Sequence, residues 1–329
     1  MAILITGGAG YIGSHAVKYL QEQGEKVVVV DNLQSGHQAS LQGTPLYKVD
    51  ICNEQKLGEV FKKYDLEAVI HFSASSLVGE SMENPYKYYQ NNVCGMLTLL
   101  KVMQESQVDI IVFSSSAAVY GEPQSIPIRE EDQTEPRSPY GETKLVMEKM
   151  INWFRCAYGV SYVSLRYFNA AGADESGVIG EDHHPETHLI PQVLRVPLGL
   201  TDRATIFGDN YPTRDGTCIR DYIHVVDLAS AHHKALQYLR EGNESNIFNL
   251  GSGDGYSVKE VIKTASKITG HLIPTLVKKR RPGDPAILTA SSEKAISMLG
   301  WNPANSKLEK IIEDAWNWHR RNPAGYSSG

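Results

Sequence analysis

The chain has 329 residues and 41% hydrophobic content, which suits one large α/β domain or two lobes of an ordinary globular protein. Its formal charge of −6 gives no global attraction to nucleic acid or to an anionic membrane, so any phosphate binding has to come from local groups. Cys52, Cys94, Cys156 and Cys218 are scattered without CxxC spacing, and they read as reduced packing residues of a cytoplasmic protein rather than a disulfide frame or a zinc site.

The apolar run 2–6 is too short for a signal peptide or a membrane span and predicts a strand. It leads into Gly7-Gly8-Ala9-Gly10-Tyr11-Ile12-Gly13 and an amphipathic segment ending near Gly24, a strand–turn–helix order. Glycines at 7, 10 and 13 allow a tight turn, close approach of backbone N–H groups to a pyrophosphate, and close packing of the helix on the sheet. The spacing is GxxGxxG rather than GxGxxG. A second strand, 26–30, delivers Asp31, whose carboxylate can accept both adenosine-ribose hydroxyls and repels a 2′-phosphate, favouring NAD over NADP.

Further strands are predicted at 46–50, 68–72 and 110–113, with helical patterns between them. This alternation implies a doubly wound parallel sheet of the Rossmann type, with ligands at the carboxyl ends of its strands. Asp50, Phe72 and the run Ser114-Ser115-Ser116 fall at those ends. The Ser116 hydroxyl is suited to donate to a substrate oxygen or to relay its proton. Downstream, Ser138 and Pro139 read as the N-cap and first position of a helix, which stacks Tyr140 and Lys144 on one face at its positive end. A tyrosine titrates near ~10, so using it as a base at neutrality takes roughly 4 kcal/mol of preferential phenolate stabilisation. A lysine charge and a helix N-terminus both act in that direction.

From about residue 170 the alternation breaks into a loop rich in Gly, Asp, His and Pro over 172–187, followed by a helical pattern over 189–198. This marks a second, smaller α/β lobe, with a first domain over 1–169 and a second over 170–329. His183, His184 and His188 carry no HExxH or matched Cys/His spacing, so no metal site is expected there. A helix over 227–239 holds His232 and His233, one ring expected packed and the other solvated. Helical patterns over 258–269, 292–299 and 308–321 are expected to cap the second lobe, with Trp301, Trp316 and Trp318 packed there and the tail after Pro323 mobile.

Taken together, the glycine turn, Asp31-Asn32-Leu33, Val69-Ile70-His71-Phe72, Val78-Gly79-Glu80-Ser81, Ser114-Ser115-Ser116-Ala117, Val119-Tyr120-Gly121, Ser138-Pro139-Tyr140-Gly141 and Leu165-Arg166-Tyr167-Phe168-Asn169 resemble the sugar-nucleotide 4-epimerases of the extended short-chain dehydrogenase/reductase family. Gly216-Thr217, the run from Arg220 to Val225, Asn249-Leu250-Gly251 and Arg280-Arg281-Pro282-Gly283-Asp284 extend the resemblance nearly end to end. It implies a bound NAD used as a transient oxidant, with Tyr140 as base, Lys144 holding the nicotinamide ribose and depressing the Tyr140 pKa, and Ser116 bridging the sugar oxygen and Tyr140. A UDP-hexose substrate would invert at C4, interconverting UDP-galactose and UDP-glucose.

By position, the resemblance assigns cofactor contacts to Gly7, Gly10, Tyr11, Ile12, Gly13, Asp31, Asn32, Asp50, Ile51, Phe72, Asn91, Ser116, Tyr140, Lys144 and Phe168. Substrate contacts fall on Ser116, Tyr140, Asn169, Leu189, Phe207, Arg220, Arg281 and Asp284, the two arginines suiting a diphosphate. It further implies that segments 221–226 and 247–250 return to the first sheet, and that helices over 85–105 and 139–158 pair across a homodimer. The chain departs from the pattern at Ser76 (often lysine), Ala118 (often threonine), His188 (often asparagine) and Leu288, where a tyrosine restricts some members to unsubstituted hexoses. A sugar-nucleotide 4,6-dehydratase shares the fold but needs an acid and a base where Ala117 and Ala118 stand, and a non-catalytic NAD-binding regulator would not need Ser116, Tyr140 and Lys144.

Overall fold

Uninterrupted apolar runs mark strands covered on both faces, and the computed structural model, which describes residues 1–281 and 284–326, bears this out. In chain order the elements are β1 (Ala2–Thr6), α1 (Tyr11–Glu22), β2 (Val27–Asp31), β3 (Leu46–Lys48), α2 (Glu54–Lys63), β4 (Leu66–His71), α3 (Val78–Glu83), α4 (Pro85–Tyr88), α5 (Gly95–Glu105), β5 (Ile110–Ser114), α6 (Pro139–Tyr158) and β6 (Ser161–Tyr167). There follow β7 (Asn169–Ala171), α7 (Leu189–Leu194), β8 (Ala204–Phe207), β9 (Ile219–Arg220), β10 (Tyr222–His224), α8 (Val225–Arg240), β11 (Asn246–Leu250), β12 (Tyr256–Ser257), α9 (Val258–Thr269), β13 (Thr275–Lys278), β14 (Ile287–Leu288), α10 (Glu293–Leu299) and α11 (Leu308–Arg321). Pro282 and Gly283 of the 280–284 motif and the tail end 327–329 lie outside the described residues.

Seven strands form the main sheet in the order β3-β2-β1-β4-β5-β6-β11, and all of its pairings are parallel. The order reverses between β1 and β4, which opens a crevice at their carboxyl ends. Side chains divide between the faces with period two. Ile3, Ile5, Val27 and Val29 pack with Val17 and Leu20 of α1 and Leu228 and Leu236 of α8, whereas Leu4, Val28 and Val30 pack with Leu57 and Phe61 of α2, Leu99 of α5 and Met147 of α6. A third core, with Ile190, Val193, Ile206, Ile262 and Ile311, belongs to the second lobe.

Several expectations need correction. Strand β11 does return to the main sheet, but β10 pairs only with β7 in a two-stranded parallel sheet, because the chain leaves the main layer after β6. Trp301, with Ala295 and Leu299 of α10, packs in the first core rather than the second lobe; its Nε1 donates to the Asp227 carbonyl, 2.9 Å. Both His232 and His233 are buried, the latter facing Glu25 at 3.3 Å. Of the cysteines expected to pack, only Cys218 is buried, while Cys94 and Cys156 are exposed. The tail is docked as far as Tyr326, whose N–H donates to Asp182 (2.8 Å) and whose ring lies 4.6 Å from that of Trp318.

Behind the crevice a buried ion pair joins α6 to β6. Arg166 donates to both carboxylate oxygens of Glu148 at 2.9 and 2.6 Å, Ser115 donates to the same carboxylate at 2.5 Å, and Arg166 also reaches the Tyr120 hydroxyl at 2.9 Å. Removing one partner strands a buried charge, which costs about 3–5 kcal/mol. Glu148→Ala should lower the unfolding free energy by that amount in urea titrations, and a loss below about 1 kcal/mol would show that water reaches the pair.

Candidate active site

The first wall of the crevice is the turn after β1. Gly7 takes φ +72°, and a Cβ there would lie 2.6 Å from the Ser73 backbone nitrogen; a Cβ on Gly13 would lie 2.1 Å from the Gly7 carbonyl oxygen. These positions have no room for a side chain, and the turn keeps its bare backbone toward the cleft. Asp31, at the end of β2, accepts the Ala9 N–H (3.0 Å) and the Leu33 N–H (2.8 Å), so its carboxylate is fixed over the turn. Asn32 donates to Asp50 at 3.1 Å and ties the ends of β2 and β3. A glycine cradle, an oriented carboxylate at the second strand end and a cleft of about 830 Å³ fit a dinucleotide.

The opposite wall comes from β5 and α6. The Ser138 hydroxyl accepts the Gly141 N–H at 3.2 Å and Pro139 occupies the first helical position, as the local pattern predicts. From this start Tyr140 and Lys144 turn toward the cleft. Lys144 Nζ donates to the Ser114 carbonyl at 2.7 Å and lies 5.9 Å from the Tyr140 ring centre. Ser116 has an extended backbone, and its oxygen accepts the Ala118 N–H at 3.1 Å, which leaves its proton for another acceptor.

One cleft is lined by Gly7, Gly10, Tyr11, Ile12, Gly13, Asp31, Asn32, Ile51, Phe72, Asn91, Ser116, Tyr140, Lys144, Phe168, Asn169 and Arg220. Asp50 is not in that lining; it is exposed just past β3, where Asn32 donates to it. Leu189 packs against the second-lobe core, Arg281 stacks on the Phe207 ring at 4.1 Å, and Arg220 is paired with Asp284. Of the two arginines expected to meet a diphosphate, only Arg220 borders the cleft, and its charge is already engaged. The departing residues Ser76, Ala118, His188 and Leu288 all line the cleft.

Sequence reasoning missed the supports. Residues Tyr89–Cys94 form a π-helical turn that brings Asn91 to the cleft and buries Asn92. Asn92 accepts the Ser75 N–H (2.8 Å) and donates to Thr143 of α6 (3.0 Å), bracing the loop after β4 against the helix. It also missed Glu181 and Glu186, which face His183 and His188 at 2.8–3.8 Å. The EDHHPETH run carried the signal, a carboxylate two residues before each of the two histidines.

Electrostatics differ from expectation. Burial pushes the Tyr140 phenol above its ordinary value, with the Ser116 hydroxyl pulling the other way, and burial lowers Lys144 to about 7, opposed by Glu148. Burial thus disfavours both ions: it raises the Tyr140 phenol and makes the Lys144 amine far easier to deprotonate than a free lysine.

A family model described as the NAD dependent epimerase/dehydratase family matches residues 3–251. A UDP-glucose 4-epimerase of Halalkalibacterium halodurans is 59% identical over 328 residues, covering 100% of this chain and 98% of that protein. The crystal structure of UDP-glucose 4-epimerase from Brucella ovis in complex with NAD matches with a TM-score of 0.94 at 46% identity, over 96% of this chain and 97% of that one. The structure of UDP-glucose 4-epimerase from Bifidobacterium longum in complex with NAD+ and UDP gives a TM-score of 0.94 at 40% identity, over 99% and 100% of the two chains.

Lys144 provides a test in the ligand-free protein. Its folded pKa of about 7 lies below its ordinary 10.5, so between those values the unfolded chain holds a proton that the folded chain has shed, and stability rises with pH across the window. It is fully present above the unfolded value and lost as pH falls to the folded one. The unfolding free energy of the wild type minus that of Lys144→Met should rise from pH 7 to about pH 10; a constant difference would mean that the amine stays charged in the folded chain.

Proposed function

The chain belongs to the NAD dependent epimerase/dehydratase family, and from that membership we propose that it is an NAD-dependent isomerase interconverting UDP-galactose and UDP-glucose. The observation that carries this reading is the convergence of Tyr140, Lys144 and Ser116 on one cleft whose facing wall is the glycine turn with Asp31. Bound NAD supplies a reversible hydride acceptor, so inversion at C4 leaves no net oxidation. Gly7, Gly10, Tyr11, Ile12 and Gly13 would hold its pyrophosphate and Asp31 and Asn32 its adenosine ribose, with Asp50, Ile51, Phe72, Asn91 and Phe168 completing the set.

Tyr140 takes the proton of the C4 hydroxyl and later returns it, with Ser116 holding the sugar oxygen toward the phenol. Lys144, fastened to the Ser114 carbonyl, orients the nicotinamide ribose and lowers the cost of ionising Tyr140 once it carries its proton. Asn169 and Arg220, which line the cleft, bind the nucleotide end, and Leu189, Phe207, Arg281 and Asp284, which stand outside that lining, are the further contacts that the family resemblance assigns to it. Holding that end firmly and the hexose loosely lets the ring present both faces. Ala117 and Ala118, beside Ser116, offer no acid or base for elimination, so the 4,6-dehydratase reading is not favoured.

The division of labour follows the lobes: residues 1–169, with returning segments within 221–251, hold the cofactor, and residues 170–329 hold the UDP-sugar. A homodimer forms through the face carrying Tyr86, Leu97 and Trp153, which are 76%, 52% and 71% exposed on α4, α5 and α6. Cytoplasmic residence and a role in galactose metabolism fit the free cysteines and the substrate; among the described residues no helix is long and apolar enough to cross a membrane.

Nuclear magnetic resonance of UDP-galactose incubated with the protein should show UDP-glucose, and Tyr140→Phe should slow this by ~10²-fold or more while NAD content is kept. Unchanged turnover in that variant would remove Tyr140 from the chemistry. Leu288 packs near Phe168 at the cleft and is smaller than tyrosine, so UDP-N-acetylglucosamine is also accepted. Leu288→Tyr should cut kcat/KM for the N-acetylated sugar by roughly tenfold or more and spare UDP-galactose; equal effects on both would count against this breadth.

A further inference from the structure

The loop 172–188 between β7 and α7 carries a cluster outside the catalytic trio. Glu181, His183, Glu186 and His188 each bring one donor atom within 4.8 Å of all the others. Both imidazoles aim Nδ1 at the same Glu181 oxygen, from 3.1 Å (His183) and 2.8 Å (His188), and the Glu186 carboxylate stands 3.8 and 3.1 Å from the same two nitrogens. Zinc bonds to imidazole nitrogen and carboxylate oxygen, about 2.0–2.1 Å long, set the edge of a coordination tetrahedron near 3.3 Å. Four of the six donor separations, 2.8–3.8 Å, straddle that edge and all six are within 4.8 Å, so an ion could enter once the widest pair closes by up to about 1.5 Å.

The surroundings also ask for a cation. The Glu181 and Glu186 side chains are 4% and 10% exposed, and among the described residues neither pairs with a lysine or an arginine. Two carboxylates at this depth need positive charge beside them, which here comes from the imidazoles of His183 and His188; a divalent ion would replace the protons those rings carry. Their frame is braced: Trp318 Nε1 donates to the Glu181 carbonyl (3.1 Å), Tyr326 N–H donates to the adjacent Asp182 carboxylate (2.8 Å), and the Tyr11 ring stands edge-on to His183 at 6.1 Å. Ligands supported in this way need little reorganisation to bind.

The geometry points to a four-coordinate divalent-metal site of the zinc type, formed by the carboxylates of Glu181 and Glu186 and Nδ1 of His183 and His188. Two imidazoles with two carboxylates suit zinc and its late first-row neighbours, whereas magnesium and calcium prefer oxygen alone. The ion joins the middle of a long loop to His188 at the start of α7, beside Tyr11, whose hydroxyl donates to the Gly172 carbonyl at 2.7 Å. Its role is to stiffen the cleft wall next to the glycine turn. The site takes no part in the chemistry assigned to Tyr140, Lys144 and Ser116.

The test uses the full chain, stripped with a chelator, dialysed against Zn²⁺ and then against metal-free buffer, with metal counted by mass spectrometry. About one zinc per chain is expected, with a rise in Tm on adding Zn²⁺ and, when Co²⁺ is added instead, the intense visible bands of a tetrahedral ion. His183→Asn and Glu186→Gln should each retain less than about a tenth of the metal and lose the Tm rise, while the exposed neighbour variant His184→Asn keeps both. Circular dichroism checks folding, and either ligand variant suffices if the other does not fold. No zinc in the wild type, equal zinc in wild type and ligand variants, loss in His184→Asn as well, or binding of Mg²⁺ without Zn²⁺ would each overturn the site and leave a carboxylate–imidazolium network. None of these readouts involves sugar turnover, so their failure leaves the epimerase reading standing.

Discussion

The seating of α6 on β5 and β6 is the constraint on which the cleft depends. The helix starts at the Ser138 cap, and its next contact is so close that a Cβ on Gly141 would lie 2.5 Å from the Ala118 carbonyl oxygen. Lys144 then reaches the Ser114 carbonyl and Glu148 reaches Arg166 on β6. Positions 141, 144 and 148 lie on one helical face, so successive turns are pinned to the sheet and the rotation of the helix is set. Tyr140 has its direction because these contacts fix the helix that carries it. A slip by one residue would bury an unpaired carboxylate and an unpaired guanidinium together.

That rigidity carries an electrostatic consequence. Burial orients Tyr140 and Lys144 but also disfavours their ions, so the cleft presents a phenol and a weakly basic amine rather than a ready phenolate. On the cleft lining Arg220 is paired with Asp284, so an anion entering there competes with that carboxylate for the guanidinium.

The walls show a second way of holding a site, by loops braced from behind. Asn92, buried by a π-helical turn, holds the loop after β4 against α6. The loop 172–188 is backed by Trp318 and Tyr326 from the far end of the chain. Long loops inside a packed molecule are stable only when their polar backbone finds such partners.

The sequence by itself determined the parallel sheet, the glycine turn with Asp31, and the capped helix carrying Tyr140 and Lys144, because these rest on local pattern: apolar runs, glycine spacing, and a Ser-Pro start read within a few residues. Only the tertiary structure decided that β10 pairs apart from the main sheet, that Trp301 and α10 pack in the first core, that burial lowers the Lys144 amine to about 7, and that Glu181 and Glu186 close on His183 and His188. Each of these depends on which distant segments meet and on how much water they exclude. Burial and pairing across the chain are sums over neighbours that no local spacing encodes.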